Sequence, residues 1–329
     1  MILACTASLM GACALLDTRH ADTPAPSTRL VAKDHRFAIV LPAPGDTLAS
    51  LAAEFLGDET QAWVIADFNQ LRHARPGEEV IIPLVEDNPL GVSREGYRKV
   101  AILSYHRIDH RNIKLSVSPE RFERQMRFLR DHDFRVIPLR QVIDFLEGRR
   151  ALPQRSVVIT IDDGYRSAYQ YAYPVLTQYR YPATIFVYTD FVGAPDALTW
   201  SQIREMSDSG LIEIQAHSKY HSNLAVRRPE ETRQAYRGRV DEEIGDSIDA
   251  VERRAGTAVY SFAYPYGDTS EFVAGKLDAR NVRLGLTVTA GGAPFYSDPL
   301  MLRRTMIFGD DDLERFRHKL DVFERAALP

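Results

Sequence analysis

From residue 100 onward, short apolar runs alternate with amphipathic stretches, and that rhythm leaves few folds open. "VAILSY", "RVIPL", "SVVITI", "ATIFVY", "IEIQAH", "VYSFAY", "LGLTVT" and "LRRTMI" read as strands. Between and after them, "SPERFERQMRFLRDH", "RQVIDFLEGR", "SAYQYAYPVLTQY", "TWSQIREMSDSG", residues 229–255, "SEFVAGKLDARN" and "DDLERFRHKLDVF" read as helices. The first helix carries its own start signal: Ser118 as N-cap, Pro119 at the first helical position, and Glu120 and Glu123 behind them. About eight strands alternating with helices predict βα units and a parallel sheet, closed or nearly so. In such barrels the chemistry sits at the C-terminal ends of the strands.

Polar side chains stand at several of those ends. "VAILSY" runs into His106, "SVVITI" into Asp162 and Asp163, and "IEIQAH" into His217, with His221 four residues later. "VYSFAY" runs into Pro265, Tyr266 and Gly267. Histidines at i and i+4 share a face on a helical turn. With one carboxylate they form a donor set suited to Zn²⁺ or another first-row divalent ion in a hydrolytic site. A second carboxylate beside the ion can take a proton from a water whose pKa the ion lowers. The Asp162–Asp163 pair therefore has two separable jobs, one acid binding and one acting as base.

Composition bounds the rest. The chain has 329 residues, 45% hydrophobic and 26% charged, with a formal net charge of −4. That is ordinary soluble-protein composition with no basic excess, so a nucleic-acid partner is not expected. Its two cysteines, Cys5 and Cys13, fall within the first 13 residues, so no disulfide framework exists in the remainder. Residues 1–16 are apolar and uncharged, too short to span a bilayer stably, and resemble the apolar part of a secretory signal. "LMGAC" resembles the lipobox of bacterial lipoproteins, which implies lipid attachment at Cys13. A basic leader is missing, and Met10 stands where leucine is usual. Residues 17–36 read as a tether and residues 85–98 as a linker.

Residues 37–84 read as strand, helix, helix, strand. "GDTL", "IADFN" and "RPGEEVIIP" resemble the LysM module, whose members bind polymers containing N-acetylglucosamine. Over residues 99–329, "ITIDDG", "HSKYH" and "YPYG" resemble the successive motifs of the polysaccharide deacetylase family, the NodB-homology domain of carbohydrate esterase family 4. "SYHRI" and "FAYPYG" are most similar to its exopolysaccharide type. The resemblance implies an α/β fold, a distorted (β/α) barrel, preceded here by the small βααβ LysM-like domain. It implies one divalent ion, with Zn²⁺ favoured and Co²⁺ or Ni²⁺ also suited, and removal of N-acetyl groups from a sugar polymer. Asp162 matches the catalytic base, and Asp163, His217 and His221 match the metal ligands. Tyr264, Pro265 and Tyr266 match the loop that holds the oxyanion and lines the sugar subsite.

Two departures from that pattern stand out. Many members pair the catalytic aspartate with an arginine at the position where this chain has Ala263; Arg304, in "LRRTMI", is the candidate replacement. Many members also bring a late histidine as acid. Here only His318, inside the final helix, follows His221, so His106 is the candidate acid. The expected protein is an exported N-deacetylase of the periplasm or cell envelope, membrane-attached through Cys13 and acting on exopolysaccharide. Peptidoglycan or chitin-oligomer deacetylation, sugar O-acetyl ester hydrolysis and a glycan-binding scaffold without catalysis are the competing expectations.

Overall fold

Burial on both faces sets the centre of the fold. The Ser156–Ile161 strand is buried at all six positions, as a parallel strand covered on either side must be. The computed structural model describes residues 27–86 and 88–326, which divide into two compact units between Leu84 and Val85. The apolar segment 1–16, Cys13 and the first part of the tether lie outside the described residues.

In the larger unit, parallel strands run in the order Leu284–Leu286, Ser261–Ala263, Ile212–Ala216, Ala183–Val187, Ser156–Ile161 and Gly96–Tyr105. Thr305–Met306 pairs in parallel with Leu103 and Ser104, and Leu302 bridges to Leu286. This last segment draws the outer strands together, so the sheet curls into the distorted barrel expected. Alternate strand positions serve the two faces. Leu103, Ile159, Ile185 and Ile214 pack against helix residues such as Phe122, Met126, Ile203 and Ile244. Ile102, Val158, Phe186, Ala263, Leu286 and Leu302 form a second cluster. Each of the larger of these side chains, fully buried, contributes about 1.5–3 kcal/mol. Asp162 continues the row of Val158 and Thr160, so period two puts its carboxylate on the face of the second cluster.

Several elements differ from the sequence expectation for identifiable reasons. The "RVIPL" strand shortens to Arg135–Val136. "VYSFAY" shortens to Ser261–Ala263, because Pro265–Gly267 forms a 3₁₀ turn with Tyr266 at φ 62°. The charged helix starts at Arg233 rather than 229, with Thr232 as its N-cap. Pro174 is tolerated because the chain passes from a π-helical stretch, Ala168–Ala172, into an α-helix, Tyr173–Tyr179, whose first turn needs no N–H donor there. The linker region holds a short strand, Val92–Ser93, and the start of Gly96–Tyr105.

The smaller unit is a three-stranded antiparallel sheet with two helices, Leu48–Leu56 and Ala62–Asn69. Its first strand, Arg29–Lys33, falls inside the expected tether and pairs with Phe37–Leu41. Ala38, Val40, Leu51, Ile65, Val80 and Ile82 are its core. Asn69 locks helix to sheet: its amide donates to Ile65 O and Ile81 O and accepts from Ile81 N. No helix among the described residues is long and apolar enough to cross a membrane.

Candidate active site

The Ser156–Ile161 strand stops because its backbone turns sharply. Asp163 and Gly164 both adopt φ 75°, a left-handed pair that ends pleating at once. A Cβ at Gly164 would stand 3.0 Å from Val187 Cγ1, so glycine answers both the dihedral and the space. Asp162 N–H donates to Tyr105 O at 2.8 Å, which ties the turn to the neighbouring strand.

The Asp162 carboxylate is 1% exposed and meets Arg304, which is fully buried. Arg304 Nη1 and Nη2 donate to its two oxygens, each at 2.7 Å. Arg304 is held in turn by Thr287 O at 2.8 Å and Thr160 Oγ1 at 3.0 Å. Such a two-pronged, charge-assisted pair fixes a carboxylate's orientation as well as its charge. Burial pushes Asp162 up, but the Arg304 guanidinium and His217 overcome it and hold the carboxyl below its ordinary value. The partner that Ala263 cannot supply thus arrives from the residue just before the late Thr305–Met306 strand, while the neighbouring Arg303 is exposed.

Asp163, His217 and His221 converge on one point. Their ligand atoms all lie within 4.8 Å of one another. His217 Nε2 and His221 Nε2 stand 3.5 Å and 3.3 Å from Asp163 Oδ1, and that buried oxygen has no hydrogen-bond partner. His217 Nδ1 lies 2.7 Å from Ala263 O, the geometry of a donated hydrogen bond, which leaves the Nε2 lone pair for a ligand. Burial raises Asp163, yet the two histidines hold it far below the usual carboxylate range. Burial lowers His217, yet Asp163 and Asp162 raise it on balance. Two buried carboxylates thus draw positive charge to this point. An orphaned oxygen with two imidazole nitrogens matches the donor set of a divalent ion, so the residues present fit one.

The two histidines do not share a helical turn. Residues 217–222 form a loop in which Ser218 (φ 71°) and His221 (φ 60°) are left-handed, and this reversal, not helical periodicity, brings the rings together. Their centroids are 4.8 Å apart. His106 follows the Gly96–Tyr105 strand, with its buried Nδ1 unpartnered. Burial lowers its pKa, and Asp162 and Asp163 only partly oppose this, so its imidazole is neutral near pH 7.

The "YPYG" loop splits in two. Tyr264 is 0% exposed, and its hydroxyl donates to Leu300 O at 2.8 Å. It packs in the core and does not line a sugar subsite, contrary to the sequence expectation. Pro265 is buried as well. Tyr266 alone faces solvent, with its ring 4.8 Å from that of His221 and its backbone at the start of a short turn, where N–H groups lack intrahelical acceptors. His318 lies on the Leu313–Lys319 helix with a largely exposed side chain.

Sequence reading overlooked Tyr188 and Glu243. Tyr188 sits 5.3 Å from His221, ring to ring, and stacks on Phe191. It ends the "ATIFVY" run, so the strand-end criterion contained the signal. Glu243 is buried beneath the 217–222 loop.

Together these features define a curled α/β barrel with a buried acid–arginine pair beside a three-residue metal-type cluster at its strand ends. Residues 149–285 match the sequence profile described as polysaccharide deacetylase. Over that stretch the chain is similar to the polysaccharide deacetylase family. It is 26% identical over 247 residues to the poly-β-1,6-N-acetyl-D-glucosamine N-deacetylase of Staphylococcus aureus, covering 72% of this chain and 84% of the relative. Among solved structures it resembles the Streptococcus pyogenes deacetylase PplD in complex with acetate, with TM-score 0.62, 26% identity, and 68% and 98% of the two chains covered. It also resembles IcaB from Ammonifex degensii, with TM-score 0.60, 25% identity, and 68% and 97% covered.

Proposed function

We propose that the chain is a metal-dependent N-deacetylase acting on an N-acetylglucosamine polymer, with exopolysaccharide as the favoured substrate. The observation that carries this reading is the division of labour between adjacent acids. Asp162 is clamped by Arg304 and kept ionised, while Asp163 turns its unpartnered oxygen toward His217 and His221.

Asp163, His217 and His221 would hold the ion, with zinc favoured. When bound, it supplies Lewis-acid polarisation of the acetyl carbonyl and a lowered pKa for water. Asp162 takes a proton from the attacking water, and Arg304 keeps it aimed and charged for that step. The Tyr266 N–H donates to the oxyanion as the acetyl carbon becomes tetrahedral. The amine leaves with a proton, which we assign to His106. Because burial keeps His106 neutral, it must first receive the proton Asp162 has taken. Tyr266 and Tyr188 offer ring faces to the sugar.

Residues 37–84 serve, in this reading, as a LysM-like module that keeps the polymer near the barrel. Such a second site raises the effective concentration of substrate. Cys13 would carry a lipid that retains the enzyme in the cell envelope.

Acetate release tests the assignment. Zinc-loaded enzyme is offered poly-β-1,6-N-acetylglucosamine oligomers, chitin oligomers, peptidoglycan and an O-acetylated glycan. Release is expected to be fastest from the first. Faster release from peptidoglycan or chitin would move the substrate within the same chemistry. Release from the O-acetyl glycan alone would replace the N-deacetylase reading with an esterase.

A further inference from the structure

The loop that carries both histidines is strained, and one buried carboxylate from a distant helix holds it. Non-glycine residues in the left-handed region persist only where their surroundings over-determine them. Ser218 and His221 are two such residues within four positions. Glu243, on the Arg233–Ala255 helix, is 1% exposed and lies in the buried stripe of Val240, Ile244, Ser247 and Val251. Its Oε2 accepts from Lys219 N at 3.1 Å and Tyr220 N at 2.9 Å, and its Oε1 accepts from Ser222 Oγ. Ser218 Oγ takes the His221 N–H at 3.0 Å. Ser218 O and Lys219 O accept from Thr189 N and Asp190 N, each at 3.1 Å. Arg239, one helical turn earlier and paired with Glu231, braces Ser222 Oγ at 3.3 Å and Asn223 O at 3.2 Å.

We propose that Glu243 is the positioning residue of the metal site. Its carboxylate gathers three donors from between and just beyond the two histidines and so sets the Nε2 spacing. This rests on the reading of Asp163, His217 and His221 as ligands. Glutamine substitutes poorly: its single carbonyl oxygen can take the two backbone N–H groups only without the carboxylate's charge, and its NH₂ then faces Ser222 Oγ, whose hydroxyl loses its acceptor. Alanine leaves all three donors without a protein acceptor.

Zinc titration by calorimetry, together with the unfolding midpoint of the metal-free protein, tests this. Glu243→Gln is expected to lose about 10–100-fold in zinc affinity, the range typical when an outer partner of metal ligands is removed. Ser222→Ala removes one of the three donors, together with the oxygen that Arg239 braces, keeps the helix intact and is expected to lose a few-fold, so the test survives if Glu243→Gln does not fold. Val251→Ala, on the same buried stripe but away from the loop, is expected to lower the metal-free midpoint and leave zinc affinity at the wild-type value. Wild-type affinity in both Glu243→Gln and Ser222→Ala, or an equal loss in Val251→Ala, would overturn the role of Glu243 while leaving the ligand assignment standing. A wild-type protein that binds no divalent ion would overturn both.

Discussion

Asp162→Asn is expected to lower the rate constant for acetate release by about 10²–10⁴-fold, the usual contribution of a positioned base, with zinc affinity within a few-fold of wild type. The carboxylate is not among the converging ligand atoms, so the substitution removes a proton acceptor without removing a ligand. It also uncovers Arg304. Wild-type Asp162 meets two guanidinium N–H groups with two oxygens. Asparagine meets one of them with an NH₂. Breaking a buried ion pair from one side typically costs about 3–5 kcal/mol, because the remaining charge is left uncompensated. The variant should therefore unfold at a clearly lower temperature and still bind zinc. A thermal melt alongside zinc titration and acetate release separates the two effects. Near wild-type turnover would show that another group takes the proton.

Arg304→Met acts on the same pair from the other side and is expected to reverse a pH dependence. In the wild type the folded Asp162 pKa lies below its unfolded value of about 3.9. Its contribution to stability is therefore present above that value and is lost as pH falls through the folded pKa. Without Arg304, burial is opposed chiefly by His217, and the folded pKa rises above the unfolded one. A raised acid contributes stability below the unfolded value and loses it as pH rises. The variant should thus be more stable, relative to wild type, near pH 4 than at pH 7. The acidic limb of its rate profile should move upward in pH, with partial recovery of activity under alkaline conditions. Chemical denaturation across pH 4–8 and a pH–rate profile check both. A variant whose profile coincides with wild type would mean that Arg304 does not tune the base.

How much of this was legible beforehand depends on whether a feature is local. Asp162, Asp163 and His217 could be read because they stand at the ends of apolar runs, with His221 four residues beyond, and a parallel barrel collects strand ends on one face. The curl of the sheet followed from the same alternation. Arg304 was legible only as a candidate: an exposed Arg303 and a buried Arg304 look alike until strand register assigns one to the interior. Tyr264 was misplaced because strand pleating was extended past Ala263, where the 3₁₀ turn and the left-handed Tyr266 end it. The histidine spacing suggested a helical turn, but two left-handed residues achieve the same convergence, and dihedrals of that kind carry little trace in serine or histidine. Glu243 was hidden by its helix, whose many surface charges mask one acid on the buried side. The Arg29–Lys33 strand was missed because its short apolar centre, exposed at every position, shows no alternation, and the strand forms through its neighbour.

The central claim is that one acid binds an ion while its neighbour moves a proton. It is tested most directly by measuring acetate release from poly-β-1,6-N-acetylglucosamine oligomers while zinc is titrated back into chelator-stripped protein. The expected result is no release from stripped wild type and a rise to a plateau at a single ion per chain. Asp162→Asn should take up the same single ion and remain near baseline throughout. Undiminished release from stripped protein, or a wild-type plateau in Asp162→Asn, would contradict it.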